Sequence, residues 1–421
     1  MIRASRLFLV VAFAGFFGFA GTISSAQGIP PGRTLEELKE ETLKRVQEKP
    51  QRTMVEGILV DDAKAALANL NSLDRDDWAA AWIPFADRYM SQAKSLESAG
   101  NPGAKDIYLR AYAYYKLAHY PIDNSPKKKE AYEKAIDAFL HHARYLKPRL
   151  EVVRIPFEGK EIVGYLRLPD KPRPAPLVYL VTALDSRKEE WAVRNGLYLD
   201  QGIGIFVTDM PGTGQAPIKA DPTAERMLSR ALDYLQTRPE IDPKRIGFYG
   251  GSWSGYWAAK MAIVERERLK AVVAQGVGVH NYFQPEWQRK ALGTPEYLMD
   301  LFAARASVYG VSTLEDFLSF GPKMSLVTLG LIDKPSAPTL LINGERDSRV
   351  PIEDLHLLLR HGSPKEAWVN PNGMHMGRGP GWSSQKIQQE VTVPWMVRML
   401  KGDPVLTSIR KSAKSEAQES N

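Results

Sequence analysis

Along the first third of the chain, apolar residues recur at three- and four-residue intervals, the period of a helix with one buried face. The stretches "TLEELKEETLKRVQEK" and "DDAKAALANLNSL" follow it. So does the aromatic-rich "GAKDIYLRAYAYYKLAHY", where Ile107, Ala111, Tyr114, Tyr115 and Ala118 fall on one broad face. In "SPKKKEAYEKAIDAFLHHARYL", Ser125 stands at the N-cap and Pro126 at the first helical position, with Tyr132, Ile136, Phe139 and Leu140 repeating on one side. Residues 33–147 are therefore expected to form a helical N-terminal cap domain. Packing is the first explanation of its tyrosine stripe, and lining of a substrate pocket the second, because the ring carries apolar area and a polar tip.

The pattern changes at Leu150. "LEVVRIPFEGKEIVGYLRLP" contains two β-rich runs around Glu158-Gly159-Lys160, a hairpin signal. Strands then alternate with helices: "APLVYLVTA", a helix near "KEEWAVRNGLYLDQ", "IGIFVTDMPG", a helix near 223–237, "RIGFYGGS", the helix "GYWAAKMAIVE" and "LKAVVAQG". Apolar runs separated by helices imply an α/β fold with a mostly parallel sheet covered on both faces. Residues 281–336 interrupt the alternation with mostly helical, aromatic-containing sequence, expected to be a lid. "APTLLINGERD" resumes the sheet and "KEAWVNPNGMHMG" ends it. The catalytic domain is expected over residues 150–400, and the polar residues 402–421 as a disordered tail.

Ahead of both domains, Arg3 and Arg6 precede an apolar run from Leu7 to Ala20, and small residues end in Ser24-Ser25-Ala26. That is the layout of a secretory signal peptide over residues 1–26, cleaved after Ala26. The apolar run nears the lower length limit for a membrane span, and the small-residue ending decides for cleavage. The expected location is periplasmic or secreted, with no stable membrane anchor after cleavage. The chain has no cysteine, which removes disulfides, thiol catalysis and cysteine-ligated metals; a chain of this size buries a sufficient core without cross-links. The net charge of +7 comes with interspersed Lys and Glu rather than a basic stripe, which argues for solubility and against nucleic-acid binding.

Candidate chemistry concentrates in "RIGFYGGSWSGYWAAK", residues 245–260. A strand runs through a sharp turn into a helix there, as at the nucleophile elbow of α/β-hydrolases, where small residues two before and two after the serine let strand and helix approach. Centred on Ser252, those positions are Gly250 and Ser254; centred on Ser254, they are Ser252 and Tyr256, and a tyrosine would obstruct the turn. Ser252 is the better nucleophile. In "TLLINGERDSRVP", Asp347 follows Gly344 on a loop at the carboxyl end of a late strand, where open α/β sheets build their sites. It lies slightly too early to cap the helix "IEDLHLLLR", on which Glu353 and Asp354 read as ordinary solvent-face charges. Of seven histidines, His375 is the one in a glycine-rich loop after the last strand; His280 ends a strand near the site and is kept as a pocket residue only. The order Ser252, Asp347, His375 is that of α/β-hydrolases.

From about Tyr108 to Met399 the chain resembles α/β-hydrolases of the FrsA-type esterase and dihydroxypseudooxynicotine hydrolase branch. The residues that carry the resemblance are "YLRAYAYYKLAHYP…SPKKKEAYEKAIDAF", "IPFEGKEIVGYLRLP", "TALDSRKEEW", "TDMPGTGQ" and "GGSWSG". It implies a helical domain packed over the catalytic domain, and either ester hydrolysis or cleavage of a carbon–carbon bond next to a ketone. Two departures stand near the reacting carbonyl. Thr182-Ala183 replace the paired glycines common before "LDS", and Ser254 replaces the glycine after the elbow.

The expected mechanism is an acyl-enzyme route. His375, held by Asp347, takes the proton of Ser252, and the oxyanion is met by the Trp253 N–H and an amide of the Ala183–Leu184 loop. Asp185 and the "DMPGTG" turn around Asp209 and Gly212 read as structural, and "GTG" lacks the Lys-Ser/Thr of a phosphate loop. Tyr282, Glu286 and Trp287 are candidates for the pocket wall, with helix packing an equal explanation for Trp287. Covering helices rich in aromatic residues favour an apolar or aromatic substrate. No cofactor is expected, and no metal, since the histidines lack ligand spacing such as H-x-x-x-H. The partner expected is a small-molecule substrate, with a homodimer left open. Ester hydrolysis leads. Carbon–carbon hydrolysis by the same triad, a serine peptidase and a non-catalytic binding protein remain as alternatives.

Overall fold

A computed structural model describes residues 32–48, 53–293 and 297–402. The expected signal peptide at residues 1–26, and all but the first residue of the expected tail at 402–421, lie outside the described residues. Five helices come first: α1 (Leu35–Gln47), α2 (Val60–Ala68), α3 (Arg75–Ser98), α4 (Ala104–Ala118) and α5 (Pro126–Ala143). A capping box starts α1, in which Thr34 Oγ1 accepts from the Glu37 N–H at 3.2 Å and the Glu37 carboxylate accepts from the Thr34 N–H at 2.8 Å. Ser125 is the N-cap residue of α5, but its hydroxyl makes no cap hydrogen bond. The tyrosines of α4 are core residues, and three of the four have tied tips. Tyr108 donates to Glu97 and Tyr114 to Asp62, each at 2.7 Å, and Tyr115 donates to Asp87.

The sheet holds eight strands: β1 (Leu150–Phe157), β2 (Lys160–Arg167), β3 (Ala175–Val181), β4 (Gly204–Thr208), β5 (Ile241–Gly251), β6 (Ala271–Gln275), β7 (Thr339–Gly344) and β8 (Glu366–Asn370). Their order is β1-β2-β4-β3-β5-β6-β7-β8. β2 pairs antiparallel with β1 and β4, and the pairs from β4 onward are parallel. The β1–β2 turn puts Glu158 and Gly159 at φ 48° and 74°, the two positive values that a two-residue hairpin turn with the sheet's twist requires.

Every residue of β3, β4 and β6 is buried, as expected for strands covered on both faces. The covering helices are α6 (Lys188–Arg194), α7 (Gly196–Asp200), α8 (Glu225–Thr237) and α9 (Trp253–Val264), then α13 (Ile352–Arg360), α14 (Ser384–Ile387) and α15 (Val393–Lys401). Gly247 of β5 lies against Met396 of α15, while Gly250, three residues on and facing the other way, lies against Ala258 of α9. Between β6 and β7 stand α10 (Pro285–Leu292), α11 (Leu301–Tyr309) and α12 (Leu314–Phe320). Among the described residues no helix is long and apolar enough to cross a membrane.

One expectation is overturned. Asp354 is not a solvent-face charge but fully buried. Its carboxylate accepts from the backbone N–H groups of Val279, His280, Asn281 and Tyr282 at 2.7–3.1 Å and from the Asn281 side chain at 2.9 Å. A carboxylate offers about four lone-pair sites, and here they organise the turn where the chain leaves β6 for the helices that precede β7. Asp354→Ala leaves those four amides without an acceptor and should cost at least about 4 kcal/mol of stability, at ~1–3 kcal/mol for each unsatisfied buried group. Urea unfolding measures this, and a loss below about 1 kcal/mol would contradict the role.

Candidate active site

β5 ends in Gly250-Gly251 and turns through Ser252 into α9. Ser252 has φ 58° and ψ −125°, a conformation that costs a side-chain-bearing residue ~1–3 kcal/mol and persists only when its surroundings impose it. The surroundings do. A Cβ at Gly250 would lie 2.0 Å from the carbonyl oxygen of Ser254. The Ser252 N–H donates to the Gln275 carbonyl of β6 at 2.8 Å.

Ser254, which stands where the motif expects glycine, is fully buried. Its hydroxyl accepts from the Gly251 N–H at 2.9 Å and faces two acceptors, the carbonyls of Val181 at 2.8 Å and Gly251 at 2.9 Å. Both its donor and its acceptor capacity are used inside the turn, joining the ends of β3 and β5. The Ser252 hydroxyl faces outward instead, 2.7 Å from His375 Nε2.

His375 follows β8, and its Nδ1 lies 2.8 Å from Asp347 Oδ2. With Nδ1–H donating to the carboxylate, Nε2 is left to accept the serine proton. The other oxygen of Asp347 accepts from the N–H groups of Arg349 and Val350 at 2.8 and 3.1 Å. The loop that carries His375 is fastened from β6 and β7: Gln275 Nε2 donates to the Met376 carbonyl at 2.9 Å, and Asn343 Oδ1 accepts from the Met376 N–H at 3.1 Å. Burial opposes ionisation of Asp347, but His375 and the two backbone donors outweigh it and hold the carboxyl below its usual range. Burial likewise pushes His375 below 6.5; Asp347 pulls upward, and the positive charges of Arg349 and Arg378 add to the downward shift.

The Trp253 N–H lies at the start of α9, where amides have no partner within the helix. Of the two candidates on the loop after β3, Ala183 is already engaged, its N–H donating to Ser186 Oγ at 3.0 Å. That hydroxyl closes the turn and takes up the Ala183 amide, leaving Leu184 as the candidate second donor. The loop rests on buried charge: Asp209 accepts from the Lys188 N–H at 2.9 Å and from Lys188 Nζ at 3.1 Å, and Lys188 also donates to Glu189 at 2.7 Å.

Of the expected pocket residues, Tyr282 is buried and packs against Gly278. Glu286 is corrected: it is exposed, because α10 buries Gln288, Ala291 and Leu292 and so turns Glu286 to solvent. Trp287 is half-buried, its indole N–H donating to the Arg349 carbonyl at 3.2 Å. His280 Nδ1 pairs with Ser325 Oγ at 2.7 Å. Three further side chains buried between β6 and β7, Tyr297, Tyr309 and Arg305, were not singled out by the sequence. Tyr309 stands 6.0 Å, ring to ring, from Trp253. The one signal that pointed to Arg305 is a charge inside the otherwise apolar "LFAARASVYG".

This strand order, with the serine elbow after β5, the acid after β7 and the histidine after β8, is that of an α/β-hydrolase. The chain belongs to the FrsA-like esterases, since the family profile described as "Esterase FrsA-like" matches residues 71–367. Over 291 residues it is 24% identical to Esterase FrsA of Vibrio parahaemolyticus, covering 67% of this chain and 68% of that one. Esterase FrsA of Photorhabdus laumondii is 26% identical over 290 residues, 68% of this chain and 69% of its own. Among solved structures, 2,6-dihydroxy-pseudo-oxynicotine hydrolase superposes with a TM-score of 0.69 at 22% identity, covering 83% of this chain and 95% of its own. AbyA5 does so with 0.67 at 21%, covering 91% and 100%. Both alignments reach beyond the sheet into the helical region.

The His375 environment yields a pH prediction. Its folded-state pKa is shifted below 6.5, so the neutral, proton-accepting imidazole predominates above that pH and is lost as pH falls through the lowered value. Titration of the ring protons by NMR should give a midpoint below 6.5, and Arg378→Gln should raise it. A wild-type midpoint of 7 or more would contradict this.

Proposed function

We propose that the protein is a serine esterase that cleaves a carboxylic ester of a small, apolar or aromatic substrate through an acyl-enzyme. The observation that carries this reading is the continuous hydrogen-bond chain from Ser252 Oγ through His375 to Asp347, set on a strained elbow at the start of α9. Serine is a weak nucleophile until a base takes its proton. In this reading His375 Nε2 accepts that proton as Oγ attacks the ester carbonyl carbon. The carbonyl oxygen becomes an oxyanion facing the Trp253 and Leu184 amides. Collapse expels the alcohol, which takes the proton back from His375, and water then releases the acid by the same steps in reverse order. An oxyanion donor of this kind is worth ~10²–10³ in turnover. The resemblance to a hydrolase of 2,6-dihydroxy-pseudo-oxynicotine keeps carbon–carbon cleavage next to a ketone as the second reading, with the same triad.

The comparison of the two serines tests the assignment on p-nitrophenyl acetate, butyrate and octanoate. Ser252→Ala should lose at least about 10³-fold in kcat. Ser254→Ala should keep turnover within about tenfold and lose ~1–2 kcal/mol of stability, because only its internal hydrogen bonds go. Equal loss in both variants would sink the assignment. No hydrolysis of any ester by the folded protein would shift the reading to carbon–carbon cleavage.

We also infer export through the leader at residues 1–26. In a bacterial host the full-length chain should appear in the periplasm or medium with Gln27 as its first residue. Cytoplasmic chains retaining Met1 would overturn this.

A further inference from the structure

The buried basic side chains of this protein are almost all neutralised. Lys188 has Glu189 and Asp209, Lys116 has Glu190, and Lys260 has Glu225. Arg167 and Arg187 each donate to three backbone carbonyls. Arg305 is the exception among the described residues. It is 5% exposed, yet its one protein partner is the side-chain oxygen of Gln288, at 3.4 Å. Among the described residues no carboxylate pairs with it, although a buried guanidinium without an anion is costly.

Its position relates it to the elbow. Arg305 lies one turn before Tyr309 on α11 and so on the same face of the helix. The Tyr309 ring stands 6.0 Å from that of Trp253, the residue after Ser252. Gln288, which holds Arg305, also donates to the carbonyl of Tyr282, and the Arg305 charge acts on Tyr282, Tyr297 and Tyr309. Among the described residues the hydroxyls of Tyr297 and Tyr309 have no hydrogen-bond partner, and each of these tyrosines keeps 8% of its surface. A buried cation with a single side-chain partner and two tyrosine hydroxyls thus stand on the segment between β6 and β7, with Tyr309 next to Trp253. Asp185 acts on Tyr297 from the loop after β3, but it forms no ion pair with Arg305.

We propose that Arg305 receives a carboxylate of the substrate, so that this site takes acidic esters such as half-esters of dicarboxylic acids or esters of hydroxybenzoic acids. The inference rests on the esterase reading of the site. It changes the expected substrate from a wholly apolar molecule to an apolar body with an anionic end, with the guanidinium supplying two parallel N–H donors.

Two pairs of probes test it. Mono-p-nitrophenyl glutarate against p-nitrophenyl valerate places the charge on the acyl side; 4-acetoxybenzoate against phenyl acetate places it on the leaving group. In at least one pair the wild type should favour the acid. The acid-to-neutral ratio of kcat/KM should fall at least about tenfold in Arg305→Gln and less in Arg305→Lys. A second readout needs no turnover. The Ser252→Ala protein should bind 3-phenylpropionate at least about tenfold more tightly than its amide by calorimetry, a preference erased by adding Arg305→Gln.

If esters are cleaved with no acid preference in either pair and the acid and amide bind alike, Arg305 is not a carboxylate site while the esterase reading stands. If no ester is cleaved but the acid outbinds the amide through Arg305, the esterase reading falls and this assignment survives. Should Arg305→Gln not fold, the acid–amide comparison in the Ser252→Ala protein and the Arg305→Lys ratio still decide.

Discussion

The positive φ of Ser252 is the constraint on which the site depends. Left to itself, that residue would relax by ~1–3 kcal/mol into an ordinary conformation and carry its hydroxyl away from His375. Three strand ends prevent it. β5 supplies Gly250, with no Cβ to strike Ser254; β6 supplies the Gln275 carbonyl that takes the Ser252 N–H; and β3 supplies the Val181 carbonyl against the Ser254 hydroxyl. The glycine usual after the elbow has been exchanged for a side chain that adds hydrogen bonds where space allowed one more small group. The departure from the motif is a reinforcement, paid for in lost backbone freedom.

Buried charge does for the opposing loop what strand ends do for the elbow. Asp209, though buried, stays ionised: burial opposes its charge, and Lys188, Arg187 and the backbone donors of Gln215 and Lys188 overcome that. Such a cluster is a poor source of net stability, since desolvation offsets the attraction. It is a good source of position, because removing one member leaves the others unpaired. The loop after β3 is thereby set by a network that includes neither Ser252 nor His375.

Much of this was legible in the sequence where the signal was local. Glu158-Gly159 gives the turn its two positive φ values, and Ser252, Asp347 and His375 each sit in a short motif at a strand end, which the fold brings within hydrogen-bond distance. What escaped depends on phase or on distant pairing. Glu286 lies one helical step from where it was needed, and periodicity over eight residues does not fix that step. Asp354 has the spacing of a surface acid, and only its neighbours, more than 70 residues earlier, make it a buried one. Ala183 was lost to Ser186 through side-chain geometry that no pattern reports. Arg305 is conspicuous because it lacks a partner, a property that exists only once every neighbour is placed.

The helix that bears Arg305 begins at Asp300, an aspartate in the left-handed region at φ 56°, which Asp tolerates better than most residues. Its carboxylate is gripped by Arg75 of α3 at 2.8 and 3.1 Å, with Lys128 of α5 at 3.6 Å. The start of α11 is therefore held by the N-terminal helices. The helix whose Tyr309 lies beside the elbow and the elbow itself thus have separate anchors, one among the N-terminal helices and one in the strand ends.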